Sequence, residues 1–202
     1  MRPRIVWIAL AVCLVPTLAA AQDGRAFVEG VGGIRLTSAP GTAGSLGVIA
    51  GGALTPNIEA IGEVGRMSDV LPPDLATAIA FTPAVFRVSS FYGLGGIRLV
   101  TSPYGHVRAY GETLAGFTRL SSSFGGVGSP TTDAVTNTAL RFLDTTDAVA
   151  AAGGGVSFQA GRLVTSVGYR FSRIFASDAL SGLLTGGNLD VSEVRVSVGV
   201  RF

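Results

Sequence analysis

The sequence predicts an all-β protein, an eight-stranded antiparallel up-and-down transmembrane β-barrel. Two observations carry this prediction. Segments in which apolar and polar residues alternate recur along the chain, and the connections between them are alternately short and long. Alternation with a period of two is typical of strands that have one apolar and one polar face. Short turns at one end and longer loops at the other are the layout of a membrane-spanning barrel.

The first four predicted strands alternate apolar residues with small or charged ones. They read "RAFVEGVGGIRL", "SLGVIAGGAL", "IEAIGEVGRM" and "RVSSFYGLGGIRLV", at about 25–36, 45–54, 58–67 and 87–100. Glu29 and Arg35 lie on the same face of the first strand, and Glu59 and Glu63 lie on the same face of the third. The fourth is less regular, because Arg98 shares its register with apolar side chains. Alternate residues of a strand face opposite sides, so each strand acquires one charged face.

The last four predicted strands continue the pattern. They read "VRAYGETLAGFTR", "AVAAAGGGVSF", "LVTSVGYRFSR" and "VSEVRVSVGVRF", at about 107–119, 148–158, 163–173 and 191–202. Arg108 and Glu112 share a register in the fifth strand, and Arg170 lies with two serines in the seventh. In the eighth, the charged residues oppose a row of valines. The even strand number allows both termini to lie at one end of the barrel.

The connections sort into two classes. "TPN", "TSPYGH" and "QAGR" are tight turns rich in Pro, Gly and Asn. The remaining four connections are longer, at about 37–44, 68–86, 120–147 and 174–190. Every glutamate falls within a predicted strand and every aspartate outside one. Aspartate suits turns, because its short side chain bonds to nearby backbone.

The N-terminal segment predicts export. Arg2 and Arg4 precede a short apolar run that ends in small residues, as in a signal peptide. A transmembrane anchor is the alternative, but the apolar run is short for one. The predicted division is a signal peptide at 1–21 and a barrel domain at 22–202. Cleavage there removes Cys13, the only cysteine, so the mature chain has no disulfide and no thiol.

Composition indicates which face meets the membrane. Charged residues make up 14% of the chain, against about 25% in typical globular domains. Periodicity alone does not separate a soluble barrel from a membrane barrel. The apolar registers are rich in Val, Leu and small residues, whereas the polar registers hold sparse charges of both signs among Gly and Ser. With the export signal, this favours apolar residues facing lipid and charges facing the lumen.

Charges inside a narrow barrel are expected to pair, because unpaired buried charges are costly. Which glutamate pairs with which arginine stays open at this point. The predicted lumen charge network consists of Glu29, Arg35, Glu59, Glu63, Arg98, Arg108, Glu112, Arg170, Glu193, Arg195 and Arg201.

Three segments carry a family resemblance: "YGLGGIRL", the following "GHVRAYGETLAGF", and the ending "VSVGVRF". With the signal peptide and the eight strands, they resemble the small outer-membrane β-barrel family related to the OmpA transmembrane domain. The resemblance implies a monomer in the outer membrane of a Gram-negative envelope. It also implies that the barrel-assembly machinery reads the last strand, where Val196, Val198, Val200 and Phe202 match the family's C-terminal signal.

The chain offers little for catalysis. The single histidine, His106, lies in a predicted periplasmic turn, and Arg108 rather than a serine stands two residues on. A lipid A hydrolase would need a histidine base near a serine and a carboxylate. One histidine and scattered acids make no metal-ligand cluster, and the glycine-rich stretches precede no helix that could bind a nucleotide. The sequence therefore predicts no enzyme, with no catalytic, cofactor-binding or metal-binding residues.

The predicted function is a structural or surface-interaction role through the extracellular loops. An eight-stranded barrel is filled by its own side chains, which argues against a wide pore. The alternatives are a narrow channel, a lipid A-modifying barrel enzyme and a soluble exported β-domain. The expected partners are outer-membrane lipid, lipopolysaccharide and the assembly machinery. Nucleic acid is not expected, because the chain has no lysine and no basic block.

Overall fold

Eight antiparallel strands close into a barrel, which confirms the predicted fold class. The structure, a computed structural model, describes residues 26–36, 44–68, 85–102, 106–125, 146–175 and 188–202. Each strand pairs with its neighbours in the sequence, and the last pairs with the first. The strands are β1 (Ala26–Arg35), β2 (Gly44–Thr55), β3 (Ile58–Met67), β4 (Val85–Val100), β5 (Val107–Gly125), β6 (Thr146–Ala160), β7 (Leu163–Phe175) and β8 (Asn188–Arg201).

The barrel is closed by the two ends of the described chain. β1 and β8 pair from Phe27 opposite Arg201 to Arg35 opposite Glu193. At the limit of this seam, the Ala26 amide donates to the Phe202 carbonyl at 3.1 Å, and the Phe202 amide donates back at 2.9 Å. Every strand thus has a partner on both sides, which removes the open edges of a flat sheet. Loop-end segments such as 85–89 of β4 and 120–125 of β5 pair only with each other.

The short turns lie at one end, here named the turn end, together with Ala26 and Phe202. β2 and β3 are joined at 56–57, β4 and β5 at 101–106, and β6 and β7 at 161–162. Gly161 has a φ of 60°, a left-handed conformation that glycine adopts without steric cost. The opposite end is named the loop end. The predicted signal peptide, and most of each predicted long connection, lie outside the described residues.

Several strands extend further toward the loop end than the alternation predicts. β5 runs to Gly125 and β4 begins at Val85, and the two remain paired over this length. The expectation that every aspartate lies outside the strands is wrong for the same reason. Asp147 lies in β6 and Asp190 in β8, because both strands begin earlier than predicted. The polar segment "LSSSFG" lacks the alternation that would have revealed the extension.

The outer wall is mainly apolar, and most of the described charged side chains lie on the inner wall. Large exposed hydrophobic side chains occupy the outward register, including the valine row of β8, whereas the glutamates of β1, β3, β5 and β8 are buried. Burial therefore has the opposite sense to that of a soluble barrel. No helix among the described residues is long and apolar enough to cross a membrane.

The interior also holds an apolar cluster to which all eight strands contribute, and the assignment of polar registers to the lumen did not predict its extent. Val149, Ile174 and Val191 are buried there, with Leu189 packed against the same cluster. These inward residues occur where β6, β7 and β8 approach the loop end. Aliphatic side chains fill this space without adding charges that would need partners.

Candidate functional site: the interior charge network

Glu112 of β5 joins two arginines inside the barrel. Its Oε2 accepts hydrogen bonds from Nε and Nη2 of Arg98 at 3.1 and 2.9 Å. Its Oε1 accepts from Nε and Nη2 of Arg170 at 3.2 and 2.5 Å. Each arginine directs two nitrogens at one carboxylate oxygen, and hydrogen bonds between charged groups are stronger than those between neutral ones. One carboxylate thereby links β4 and β7, which are not neighbours in the sheet.

Glu63 of β3 holds the other side of the network. Its Oε2 lies 2.7 Å from Nη1 of Arg170, and its Oε1 lies 2.5 Å from Nη2 of Arg195. The Tyr92 hydroxyl donates to the same Oε1 at 2.7 Å. β3 and β7 face each other across the ring of eight strands. The Glu63–Arg170 contact therefore spans the interior.

The network extends to β1 through Glu29 and includes an acid of β8, Glu193. Glu193 lies 2.9 Å from Nε of Arg195. Glu29 lies 3.7 Å from Arg98 and accepts a hydrogen bond from the Ser197 hydroxyl at 2.6 Å. This hydroxyl is also 2.6 Å from that of Ser166. A continuous chain of polar contacts thus connects six of the eight strands.

A separate pair lies nearer the turn end. Arg201 Nη2 is 2.5 Å from Oε1 of Glu59. The Phe27 ring lies between two guanidinium groups, with its centroid 5.4 Å from Arg201 and 5.5 Å from Arg98. The Tyr110 ring approaches Arg98 more closely, at 4.7 Å. These cation–π contacts supply attraction where water is excluded.

Two predicted network residues lie at its margins. Arg35, at the loop end of β1, donates to the Ser68 carbonyl. Arg108 is partly buried at the turn end of β5, opposite Ser157. The other nine predicted residues take part in the ion pairs described above. The structure thereby specifies the pairing that the sequence left open.

Among the residues that the structure describes, the charges facing the interior balance in sign. Asp147 joins the predicted set as a sixth buried acid, and six arginines face the interior with them. Burying an isolated ion costs roughly several kcal/mol of desolvation free energy, even after the protein has relaxed around it. Equal numbers of both signs allow each charge to be compensated nearby. The inward acids are Glu29, Glu59, Glu63, Glu112, Asp147 and Glu193, and the inward arginines are Arg35, Arg98, Arg108, Arg170, Arg195 and Arg201.

The aromatic residues that support the network were not predicted as site residues. Tyr92 lies over Gly65, where an added Cβ would come within 2.6 Å of the tyrosine Cζ. Phe27 lies over Gly51 in the same way, with its Cζ at 2.6 Å. Tyr110 lies over Gly168 and Gly155. The sequence does contain a signal for this arrangement. Glycines in the inward registers leave space that an aromatic side chain of a nearby strand can fill.

Small polar residues line a narrow space beside Glu112. Its walls include Tyr110, Ser166 and Ser197, together with Arg98 and Arg195. The space is enclosed by the same arginines and hydroxyls that form the network. The interior near Glu112 is therefore polar but closely filled.

His106 lies apart from this network. It is exposed next to β5 at the turn end, and its ring contacts Phe158 with centroids 5.7 Å apart and planes inclined by 56°. In the described ranges, no group of three or more His, Cys, Asp or Glu side chains could hold a metal ion.

The predicted C-terminal assembly signal occupies the outer wall. Val196, Val198, Val200 and Phe202 are all exposed and point away from the interior. Arg195 and Ser197 alternate with them and are buried. The apolar row is thus free to contact lipid or another protein while its neighbours hold the interior together.

Comparisons with known proteins identify similar folds only. No family model matches the chain, and no curated protein matches it. Among solved structures, the N-terminal β-barrel domain of Pseudomonas aeruginosa OprF has a TM-score of 0.50 at 11% identity, covering 89% of this chain and 98% of that one.

Two further structures are similar at lower scores. Neisserial surface protein A has a TM-score of 0.48 at 15% identity, covering 88% of this chain and 93% of that one. The outer membrane enzyme PagL has a TM-score of 0.42 at 11% identity, covering 87% and 99%. With the closed ring of eight strands and its inward charges, the match to OprF shows that this chain has the fold of the small, OmpA-like outer-membrane β-barrels.

Proposed function

We propose that the chain is a monomeric outer-membrane protein with a structural or surface-interaction role, exercised through the connections at its loop end. In this proposal residues 1–21 direct export and are removed. The turn end faces the periplasm and the loop end faces outward. The observation that carries the proposal is the inverted wall, apolar outside and ion-paired inside.

The outer wall supports a membrane location. Each of the eight strands carries exposed large hydrophobic side chains, which are mostly valine, leucine, isoleucine or aromatic residues. At about 3.4 Å per residue and a tilt of about 40°, some nine or ten residues cross the ~25 Å apolar band of such barrels. All eight strands have ten residues or more. In water this wall would be a large exposed apolar surface, which soluble monomers avoid.

The filled interior supports a role other than that of a wide pore. Arg170 and Glu63 meet across the barrel, and their side chains are 2% and 0% exposed. Apolar side chains from all eight strands are buried in the same interior. For a solute to pass through the barrel, these ion pairs and packed side chains would have to move apart. The loop end is therefore where a partner would be met.

Fractionation and gel mobility test this proposal. We expect the full chain, expressed in a Gram-negative host, to lie in the outer-membrane fraction. Unheated samples in SDS are expected to migrate differently from heated ones, since a closed barrel resists the detergent. Recovery in the soluble periplasmic fraction, with no heat-dependent shift, would instead indicate a soluble exported β-domain.

The enzyme alternative has a separate test. His106 lies at the turn end, which this proposal places away from the outer leaflet, and its described ring contact is with Phe158. We expect lipid A masses to be the same in hosts that express the wild-type chain and His106→Ala. A mass change that is present with the wild type and lost in the variant would establish lipid A modification.

A further inference from the structure

We propose that Arg66 and Arg119 form a lipid-phosphate site on the outer wall, which binds the phosphorylated headgroup of an anionic lipid in the outer leaflet. This inference rests on the proposed membrane location and adds a ligand and its residues. The occupant is a lipid, because the site adjoins the apolar wall. Its recognised group is phosphate, because both binding side chains are guanidinium groups.

The two arginines flank one aromatic side chain. Arg66 pairs with Phe91 across β3 and β4, and Phe91 pairs with Arg119 across β4 and β5. All three side chains are exposed on the outer wall. Strands lie about 4.8 Å apart, so the two arginine Cα atoms are roughly 10 Å apart. Long side chains at this spacing can approach the same headgroup from both sides of Phe91.

The charge of this pair is not compensated by the described protein. Within the ranges that the structure covers, no carboxylate forms an ion pair with Arg66 or Arg119. Arg173, a third outward arginine near the loop end, instead donates to both oxygens of Asp190 at 2.7 Å. The wall therefore carries one arginine that a neighbouring carboxylate neutralises and two for which the described residues supply no counter-charge.

The position of the pair matches the headgroup region. Arg66 and Arg119 lie eight and twelve residues from the turn ends of β3 and β5. At about 3.4 Å per residue and a tilt of about 40°, these are heights of ~21 and ~31 Å, around the upper limit of the ~25 Å apolar band. An outward arginine costs about 2–4 kcal/mol at the bilayer midplane but only about 0–1 near its interface.

The neighbours in the same row favour a lipid over a soluble anion. Leu46 pairs with Arg66 and is 74% exposed, and Phe91 is 53% exposed. Exposed apolar and aromatic side chains next to unpaired guanidinium groups suit the boundary between acyl chains and headgroups. Guanidinium groups bind phosphate with paired hydrogen bonds, so a phosphate-bearing headgroup supplies the missing charge.

Lipid retention tests the inference. The wild-type barrel, the double variant R66Q/R119Q and the control R162Q are folded in detergent micelles. R162Q removes an exposed arginine at the turn end, in the two-residue turn between β6 and β7. Each protein is titrated with bisphosphorylated lipid A and with the same lipid lacking its phosphates, and bound lipid is counted by native mass spectrometry.

We expect bisphosphorylated lipid A to bind the wild type and R162Q about tenfold more tightly than R66Q/R119Q, since charge-assisted hydrogen bonds are lost. The dephosphorylated lipid is expected to bind all three weakly and equally. Equal affinity of R66Q/R119Q and the wild type for bisphosphorylated lipid A would overturn the inference. Full displacement by millimolar inorganic phosphate would do so too, because the ligand would then be a free anion.

A heat-shift gel of the same samples separates this result from the proposed function. A folded double variant that has lost lipid affinity supports the site, and a folded one that keeps it overturns the site while leaving the barrel proposal intact. If the double variant does not fold, the single variants R66Q and R119Q decide the question. Each is expected to lose part of the affinity, and unchanged affinity in both would contradict the inference.

Discussion

At the scale of single residues, Glu112 contacts more charged side chains of the interior than one ion pair would require. It accepts from Arg98 and Arg170, and Arg195 lies 3.8 Å from its Oε1. Its removal would leave two guanidinium groups short of a partner in a site without bulk water. A buried ion pair adds little net stability compared with apolar packing, but breaking one is strongly destabilising.

Glu112→Gln is therefore expected to lower the free energy of unfolding by about 3–5 kcal/mol. Urea unfolding of the barrel folded in micelles measures the change. Asp190→Asn is the control, because its pair with Arg173 is exposed to solvent and exposed ion pairs add little to stability. Equal small losses in both variants would mean that Glu112 is not a hub of the network.

Glycines give a second prediction at this scale. Gly65→Ala is expected to destabilise the barrel by about 1–3 kcal/mol, because its Cβ would overlap the Tyr92 ring and approach the Leu46 carbonyl. Gly95→Ala is the matched control, since nothing lies within 4 Å of the added carbon. The same urea unfolding measures both, and an equal effect of the two substitutions would contradict the packing of Tyr92 described above.

The sequence predicted which residues face inward but not which ones meet. Alternation assigns a side chain to a face, because neighbouring residues of a strand point in opposite directions. Arg195 and Glu63, however, are 132 residues apart and lie on strands that are not paired. Contacts across a barrel depend on the relative stagger of all eight strands, which the pattern within one strand does not contain.

At the scale of elements, β8 has one face that contacts the interior network and one face that is exposed on the outer wall. Arg195, Ser197 and Glu193 enter the interior network, while the valines between them remain outside. The strand also supplies half of the closing seam with β1. The strand segments themselves were largely predictable, because alternation extends through most of each one. Their loop-end extensions were not, since polar stretches such as "SSS" in β5 carry no alternation.

Phe202 provides the prediction for this element. Its deletion removes the exposed aromatic ring and both backbone hydrogen bonds with Ala26. We expect a reduced yield of heat-shifting protein in the outer-membrane fraction. Phe202→Tyr keeps the aromatic ring and the backbone, so its yield is expected to equal that of the wild type. An unchanged yield after deletion would count against an assembly signal in the last strand.

At the scale of the whole molecule, the filling of the interior argues against a wide pore. Ion pairs and hydrogen bonds connect inward side chains from β1 to β8, and apolar side chains from all eight strands are buried in the same interior. The sequence predicted a filled lumen from the number of strands, and it showed apolar side chains in a charged register only for the fourth strand. The structure shows inward apolar side chains on all eight strands.

Planar bilayer recording tests this reading against the narrow-channel alternative. We expect the refolded wild-type barrel to produce no discrete conductance steps, because the side chains of Arg170 and Glu63 meet across the lumen. A heat-shift gel of the same preparation confirms that folded protein was added. Reproducible single-channel steps from folded protein would favour the channel.

The seam between Ala26 and Phe202 has a consequence for how the barrel forms. Its two partners are 176 positions apart, so the ring cannot close until β8 is available to pair with β1. Until then β1 and β8 each keep one unpaired edge, and pairing over so long a separation is slow. Unpaired strand edges are templates for pairing with another chain, so the step most exposed to association between copies is the one that joins β1 to β8.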